Sequence, residues 1–553
     1  MQIDLTQTEL SPEPVRTQVC IVGGGIAGIV LAHRLAEHGL EVALLEAGGP
    51  SIQQSSTVIP ELSGLPHHGL AEGQLRVFGG TSLRWGGQLL PLLDTAGMGS
   101  AWPLDPAELD PFYLQAESLL GVDHLSSFAE HFFPQASLPV PSLLSGLTEL
   151  DGRLSKWTPF ARRNLATTLG RSLLRDPAVH IYFHASVTDL LATADGSHID
   201  AALVRTPSGA TLRFEAARFI VAAGTVETVR LLLASRSASP QGVGNTHDQV
   251  GRNFHDHLTV SAATVTGPAR EQVLEELRPW VISTSSQQAG PVPRIKSAHE
   301  PASSTLHSAK LVATAALCAQ LDINPVLAHL TLEEPEDTGV AAVRALLRAR
   351  QGEGLPAALR THATRLPAAF LEAVRLAWAA KVDHRRYVSP RAQVKLYLNA
   401  QQDTPSASRI TLSSNLDALG IPIPCVDWRV TDHELLTLRR FAHWLHRHFA
   451  AQGLEGIDWN PALFSQASLL ADPTLFDDLP TLEIPNLDDA RHAMGGACMG
   501  HDPRTSVVDT NLSVHGVDNL SIVSAATFPT GAAQLPTLPL MALALRLADR
   551  LGA

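Results

Sequence analysis

Cysteine is scarce in this 553-residue chain. Cys20, Cys318, Cys425 and Cys498 lie far apart, and none forms a Cys-x-x-Cys pair. A disulfide framework and a zinc ribbon are therefore excluded, and a reducing compartment fits best. Long apolar runs are missing too: no eighteen consecutive apolar residues occur, so no transmembrane segment is expected. Met1 to Arg16 is polar and acidic with two prolines, the wrong composition for a secretory signal, and the expected setting is cytoplasmic. Positive charge is also short. Forty-one basic residues face 54 acidic ones, a formal net charge of -13 with no basic tail. Phosphate backbones need clustered positive charge, so no nucleic-acid partner is expected.

What is present points to a large folded protein. With 45% hydrophobic residues, 40 glycines and 37 prolines, the length allows two to four domains around a sizeable core. The β-branched run Val19-Cys20-Ile21-Val22 leads into Gly23-Gly24-Gly25-Ile26-Ala27-Gly28 and an amphipathic stretch to about His38. Glu41 to Glu46 then reads as a second strand ending in an acid. This is a βαβ unit of the dinucleotide-binding type. Gly23 permits the tight turn, Gly25 lets the backbone approach a pyrophosphate, and Gly28 lets helix and strand pack closely. Glu46, eighteen residues past Gly28, is placed to hold ribose hydroxyls. The unit does not distinguish a nicotinamide from a flavin.

Arg218 to Thr225 reads as another buried strand breaking at Gly224, followed by a helix with Glu227, Thr228 and Arg230. It either serves the same cofactor or continues the sheet. From about Thr259 to Pro480 the pattern alternates. Val394, Leu396 and Leu398, then Ile410 and Leu412, then Val426, Trp428 and Val430 predict half-buried antiparallel strands. Thr431 and Glu434 have capping-box spacing ahead of an apolar stripe at Leu435, Leu438, Phe441, Leu445 and Phe449. His443, His446 and His448 read as a solvated polar face, since no carboxylate or cysteine completes a metal set nearby; His255 and His257 around Asp256 read the same way. No metal site is expected. Residues 339–381 are helical in composition, interrupted at 352–356 and Pro367. Val343, Leu346 and Leu347 against Arg344, Arg348 and Arg350 make a basic amphipathic helix, either a plain surface helix or a contact for a membrane or partner.

Phe78 to Gly87 (FGGTSLRWGG) joins a glycine-rich loop to a bulky aromatic, and HAMGGACMG at 492–500 and FPTGAAQLPTL at 528–538 stand near the other end. Trp102-Pro103, Glu108 to Tyr113, Gly251 to Phe254, Ser408 to Leu412, Ser506 to Asp509 and Gly516 to Leu520 fall between or beside them in the same order. With the N-terminal fingerprint, these motifs resemble the glucose-methanol-choline (GMC) oxidoreductase family along the whole chain, especially its bacterial members.

The resemblance implies FAD and an α/β fold: a discontinuous Rossmann-type FAD-binding domain from 1–100, 181–258 and 485–553, and an α+β substrate domain with an antiparallel sheet from 101–180 and 259–484. The loop with Gly79, Gly80, Thr81, Ser82, Trp85, Gly86 and Gly87 would lie against the flavin, and Val187, Gly224, Ser524, Ala525 and Pro536 would complete the cofactor contacts. Some relatives bond the flavin covalently to a histidine in that loop. Leu83 and Arg84 stand there instead, so the FAD is expected to be non-covalent.

The implied activity is an FAD-dependent oxidation of a CH–OH donor, a sugar derivative or specialised metabolite. Hydride goes to flavin N5 and His492 acts as general base, a role suited to a side chain that titrates near neutrality. The family adds a second polar residue, Asn or His, just before the proline of the last loop. Here that position is Leu535, which can neither donate nor accept a hydrogen bond. Gln534 substitutes for it only if the loop register shifts. Gly496, Ala497, Cys498 and Ser524 also depart from the commonest family residues. The alternative is a GMC-fold flavoenzyme of changed chemistry, such as a desaturation, an oxidative rearrangement or cyclisation, or a lyase-type step in biosynthesis. The electron acceptor, whether oxygen, a quinone or a cytochrome, is not readable from the residues.

Overall fold

A computed structural model describes the chain except for residues 9–10, 12, 53–57, 73, 93–101, 126–132, 134–137, 145–147, 284–303, 349–365, 466–480 and 482. Two large sheets carry the fold. In the first, of eight strands, Val15–Val22 runs parallel to Val42–Leu45 on one side and Thr211–Val221 on the other, and Val179–Phe183 and Gln2–Asp4 extend it. Val19 to Val22 and Val42 to Leu45 are buried throughout, which is why they read as unbroken apolar runs. The first half of Thr211–Val221 pairs antiparallel with Ile199–Arg205, which pairs with Ser186–Ala192. Its second half runs parallel to Leu520–Ile522, bringing the C-terminal region into the sheet. The helix Ile26–Glu37 packs on the C-terminal helix Thr537–Gly552, which also touches Asp110–Leu120. Arg34 ties to Asp549 across the first of these contacts.

The second sheet has nine strands, all paired antiparallel. Its main order is Ile457–Trp459, His257–Val265, Gln393–Gln401, Val326–Glu333, Ser304–Ala313, Leu150–Trp157 and Gln88–Leu89. Trp280–Ser283 joins Ser304–Ala313, and Asp488–Asp489 joins His257–Val265. Along Gln393–Gln401, Val394, Leu396, Leu398 and Ala400 are buried, and the helix Asp432–Ala451 packs against this strand. Lys395, Tyr397, Asn399 and Gln401 point to the other face and are half-buried. Directly opposed residues share a face, so Thr259, Ser261, Leu327, His329 and Val312 join Tyr397 and Asn399 there.

The helix Asp432–Ala451 begins with the expected capping box of Thr431 and Glu434. Its histidines depart from the expectation of a solvated face. His443 is buried, and the half-buried His446 packs against the rings of Trp459 and Phe464. The segment after the helix folds back and covers what the amphipathic pattern marked as polar. Pro367 is the second residue of Leu366–Trp378, where a proline's missing N–H costs nothing. Residues 352–356 and the side chains of Leu347, Arg348 and Arg350 lie outside the described residues. Val343, Arg344 and Leu346 on the helix Gly339–Arg348 are half-buried. Phe370, Leu371, Val374 and Trp378 form an exposed apolar stripe on the helix that follows.

Candidate active site

The two strand-glycine-helix junctions lie side by side, because Val22 is opposite Val221 in the parallel pair. Gly23 has φ +105, and a Cβ there would meet the Ala222 carbonyl oxygen at 2.6 Å. A Cβ on Gly28 would fall 1.9 Å from the Gly23 oxygen, so helix and turn touch only because both residues are glycine. Gly25 differs: an added Cβ would meet nothing within 4 Å. It is the N-cap of Ile26–Glu37 and makes no side-chain cap, so the first N–H groups of that helix open onto free space. Gly224, at φ +76, likewise opens Thr225–Ala234 onto free space. The residues present therefore fit a pyrophosphate-bearing cofactor at the first junction.

Glu46 ends its strand buried, accepting the Gly24 N–H at 2.9 Å and the Gly48 N–H at 2.7 Å. Burial raises its pKa, and these two bonds oppose the rise. Each oxygen keeps a further lone pair for a hydroxyl donor. The loop of 78–87 is fastened directly over the glycine turn. The Gly79 N–H donates to the Gly24 oxygen at 2.8 Å, and a Cβ on Gly80 would come within 3.1 Å of the Gly25 Cα. Within the loop, Ser82 is buried and donates to the Gly79 oxygen at 2.6 Å, and Trp85 Nε1 donates to the Arg163 oxygen at 2.8 Å. The Gly87 oxygen accepts the Thr158 N–H at 2.7 Å, while Thr81 and Gly86 are exposed. Val187 is half-buried on Ser186–Ala192. Ser524 is buried and caps the turn Ala525–Thr527 through the Ala526 N–H at 3.2 Å, and Pro536 caps the C-terminal helix.

The loop of 492–500 is held on two sides. Gly495, Ala497 and Met499 donate to the oxygens of Ala525, Ala526 and Thr527, and Met494 exchanges two backbone bonds with His255. Asp256 anchors the loop's start: its carboxylate accepts the N–H of His257 at 2.6 Å, Ala490 at 3.3 Å and His492 at 2.7 Å. His67 Nε2 reaches the same carboxylate at 3.2 Å.

The side chains that meet here are His492 and His257, with Nδ1 to Nδ1 at 3.0 Å. His257 Nε2 lies 3.0 Å from the Gly531 oxygen, which can only accept. His257 therefore carries its proton on Nε2 and presents a bare Nδ1. His492 must donate from Nδ1, which leaves its Nε2 as the unprotonated nitrogen. Burial and the neighbouring His257 and Lys310 push the His492 pKa down to about 3. Burial also lowers that of His257, so both rings are neutral at pH 7.

The final loop gives two different environments. Leu535 packs on Leu90, Val312, Leu327 and Ala533, all apolar. Gln534 is 2% exposed, and both atoms of its amide lack a hydrogen-bond partner among the described residues. An unpaired buried amide is costly, so an ordered water or a bound group is needed to complete it.

His255 and His257 are buried, not solvated, and carboxylates do lie near. Ligand atoms of Asp256, His257 and His492 fall within 4.8 Å of one another, as do those of His67, Asp256 and Asp489. The Asp256 oxygens are occupied by backbone N–H groups, so its evident task is to shape the loop. Sequence reasoning missed His257 as the partner of His492, and it missed Lys310, whose charge acts on His492. The alternation of His255-Asp256-His257 into an apolar strand was the available signal for the first. Lys310 lies in a strand that carried no motif.

Comparison with known proteins agrees with this geometry. A family model described as GMC oxidoreductase matches residues 404–544, and one described as FAD dependent oxidoreductase matches residues 18–116. The chain is 24% identical to the fructose dehydrogenase large subunit of Gluconobacter japonicus, with 98% of each chain covered. It is also 24% identical to the 6'''-hydroxyparomomycin C oxidase of Streptomyces lividus, over 96% of this chain and 90% of that one. The crystal structure of pyridoxine 4-oxidase from Mesorbium loti superimposes with a TM-score of 0.54 at 16% identity, covering 97% of this chain and 99% of that one, a likeness of fold. The glycine junctions, the loop over them and the matched segments at both ends mark the chain as an FAD-dependent oxidoreductase that carries a GMC oxidoreductase domain at its C-terminal end.

Proposed function

We propose that this enzyme oxidises a hydroxyl group on a small polyhydroxylated molecule, with His492 as the general base. The observation that carries the reading is the chain from the Gly531 oxygen through His257 to His492, which leaves His492 Nε2 bare. FAD, when bound, accepts the hydride that leaves the substrate carbon, so the alcohol becomes a carbonyl. His492 takes the hydroxyl proton on Nε2 and becomes an imidazolium whose Nδ1–H is already committed to His257. The loop over the glycine turn, with Leu83 and Arg84 and no histidine, suits a non-covalent cofactor. Gly25 and the Ile26–Glu37 N-terminus would hold its pyrophosphate, Glu46 its ribose, and the 79–87 loop, Ser524, Ala525 and Pro536 the remainder.

The names of two relatives point to a sugar and an aminoglycoside as their substrates, and the polar wall of Thr259, Ser261, His329, Tyr397 and Asn399 offers this chain hydroxyl partners of the same kind. We divide the chain into an FAD-binding unit of 1–100, 181–258 and 485–553 and a substrate unit of 101–180 and 259–484. The first sheet supports the former, while Gln88–Leu89 and Asp488–Asp489 pair into the second sheet. Four free thiols, three of them buried, suit a cytoplasmic setting. Among the described residues, no helix is long and apolar enough to cross a membrane.

A second reading, changed chemistry on the same fold, draws on the apolar cluster around Leu535. Anaerobic addition of candidate alcohols to the yellow protein separates the two. Bleaching of the flavin supports hydroxyl oxidation. Conversion of a pathway intermediate with no bleaching by any alcohol supports the alternative.

A further inference from the structure

The second sheet buries two lysines, one on each face. Lys156, fully buried, bonds Glu117 at 2.6 Å and lies 3.4 Å from Asp123, which also takes His307 at 2.8 Å. A buried ammonium compensated in this way is a structural element. Lys310 is 3% exposed, and among the described residues it has no carboxylate partner. Its one hydrogen-bond partner among the described residues is the Gln88 Oε1, at 3.5 Å from Nζ.

Register fixes where Lys310 points. It lies two residues from Val312, on the face that carries Leu327, His329, Tyr397 and Asn399 and against which Leu535 packs. Its charge acts on the rings of His329 and His492. The groups facing it from adjoining elements do not compensate it. Opposite stands Arg153, already paired with Asp151; Glu333 is taken by Lys395 at 2.6 Å, and Tyr397 bonds Glu333 at 3.2 Å. Farther along the same edge, Ser155 and Trp157 lead to Arg163, whose guanidinium lies 5.7 Å from the Trp157 ring and feels the charge of Arg386. Glu334 is the acid that acts on Arg386.

A buried cation held without a counter-ion, on the sheet face against which Leu535 packs, is costly unless a ligand completes it. We infer that Lys310 is the seat of an anionic group on the substrate, so that the enzyme takes a hydroxyl-bearing acid, a carboxylate or a phosphate ester, in preference to a neutral sugar. This deepens the proposed function, and it is read by binding, independently of His492 as base. Burial pushes the Lys310 pKa down to about 7, so the site is charged below neutrality and loses its charge above it.

The test is equilibrium binding by titration calorimetry to the FAD-loaded His492→Ala protein, which holds ligand without turning it over. The probes are D-gluconate, D-glucose 6-phosphate and D-glucose. One or both acids should bind about 10- to 100-fold tighter than glucose, the worth of one charge-assisted hydrogen bond. Preference for gluconate assigns a carboxylate, and preference for the ester a phosphate. Affinity for the acid should fall as pH rises above 7, while that for glucose stays level. Adding Lys310→Met should remove the acid's advantage without lowering the melting temperature or FAD content, and Lys310→Arg should restore part of it. Glucose binding as tightly as both acids, or Lys310→Met leaving the acids' affinity unchanged, overturns the inference. Lys310-dependent binding of an acid that never reduces the wild-type flavin would leave this inference standing and remove the proposed function.

Discussion

His257 holds His492 by an Nδ1 to Nδ1 bond of 3.0 Å and is itself held by the Gly531 carbonyl, so one backbone oxygen fixes the tautomer of two rings. A Cβ on Gly531 would lie 2.7 Å from His257 Nε2 and 2.5 Å from the Met494 Cε, so glycine is required for that oxygen to reach the ring.

His257 is thus a positioning residue. His257→Ala should lower kcat by a sizeable part of the ~10²- to 10⁴-fold that general acid–base help provides, with KM and FAD content nearly unchanged. His257→Gln, whose amide can still accept from His492 Nδ1–H, should recover part of the loss. An equal loss in both variants would mean that the ring serves packing only.

The pH dependence follows from the same pair. The proposed base, His492, can accept a proton only when neutral, and its pKa is pushed down to about 3, so kcat/KM should show no acid limb near the ordinary histidine value of about 6.5. Stability behaves differently. His492, His257 and His255, the last lowered to about 4, bind protons more weakly folded than unfolded. Their contribution is present above about 6.5 and is lost as pH falls toward their folded values. Melting curves from pH 8 to pH 4 should therefore decline below about 6.5 while initial rates persist.

Two glycine substitutions separate cofactor from fold. Gly25→Ala places a methyl where the chain has nothing within 4 Å, so the apoprotein should melt as before while FAD affinity falls. Gly28→Ala drives a methyl into the Gly23 oxygen, so it should damage the turn itself and lower the yield of folded protein. Full FAD retention in Gly25→Ala would remove the pyrophosphate from that junction.

The glycine turn at 23–28, the acid ending its strand at position 46 and the capping box at 431 are legible in the sequence, because each is a local pattern with a local cause. His257 and Lys310 are not. The alternation of His255-Asp256-His257 carries the face that His257 takes, but what lies across the sheet from His257 and Lys310 is not encoded in nearby residues. His443 failed for a related reason: the segment that buries it follows the helix and carries no periodic signature of doing so.

Leu535→Asn puts an amide where the family resemblance expects one, into a site now lined by Leu90, Val312, Leu327 and Ala533. The substitution should cost about 1–3 kcal/mol of stability from the unpaired amide. It should also raise turnover of simple alcohols. Unchanged or lower turnover would place Leu535 away from the reacting oxygen.

The most direct measurement is anaerobic stopped-flow reduction of the bound flavin by a hydroxylated substrate in wild-type and His492→Ala proteins of equal FAD content. Wild-type should bleach, and the variant should bind the substrate yet bleach about 10²- to 10⁴-fold more slowly. Bleaching at the wild-type rate without the imidazole would contradict the assignment of His492 as the base.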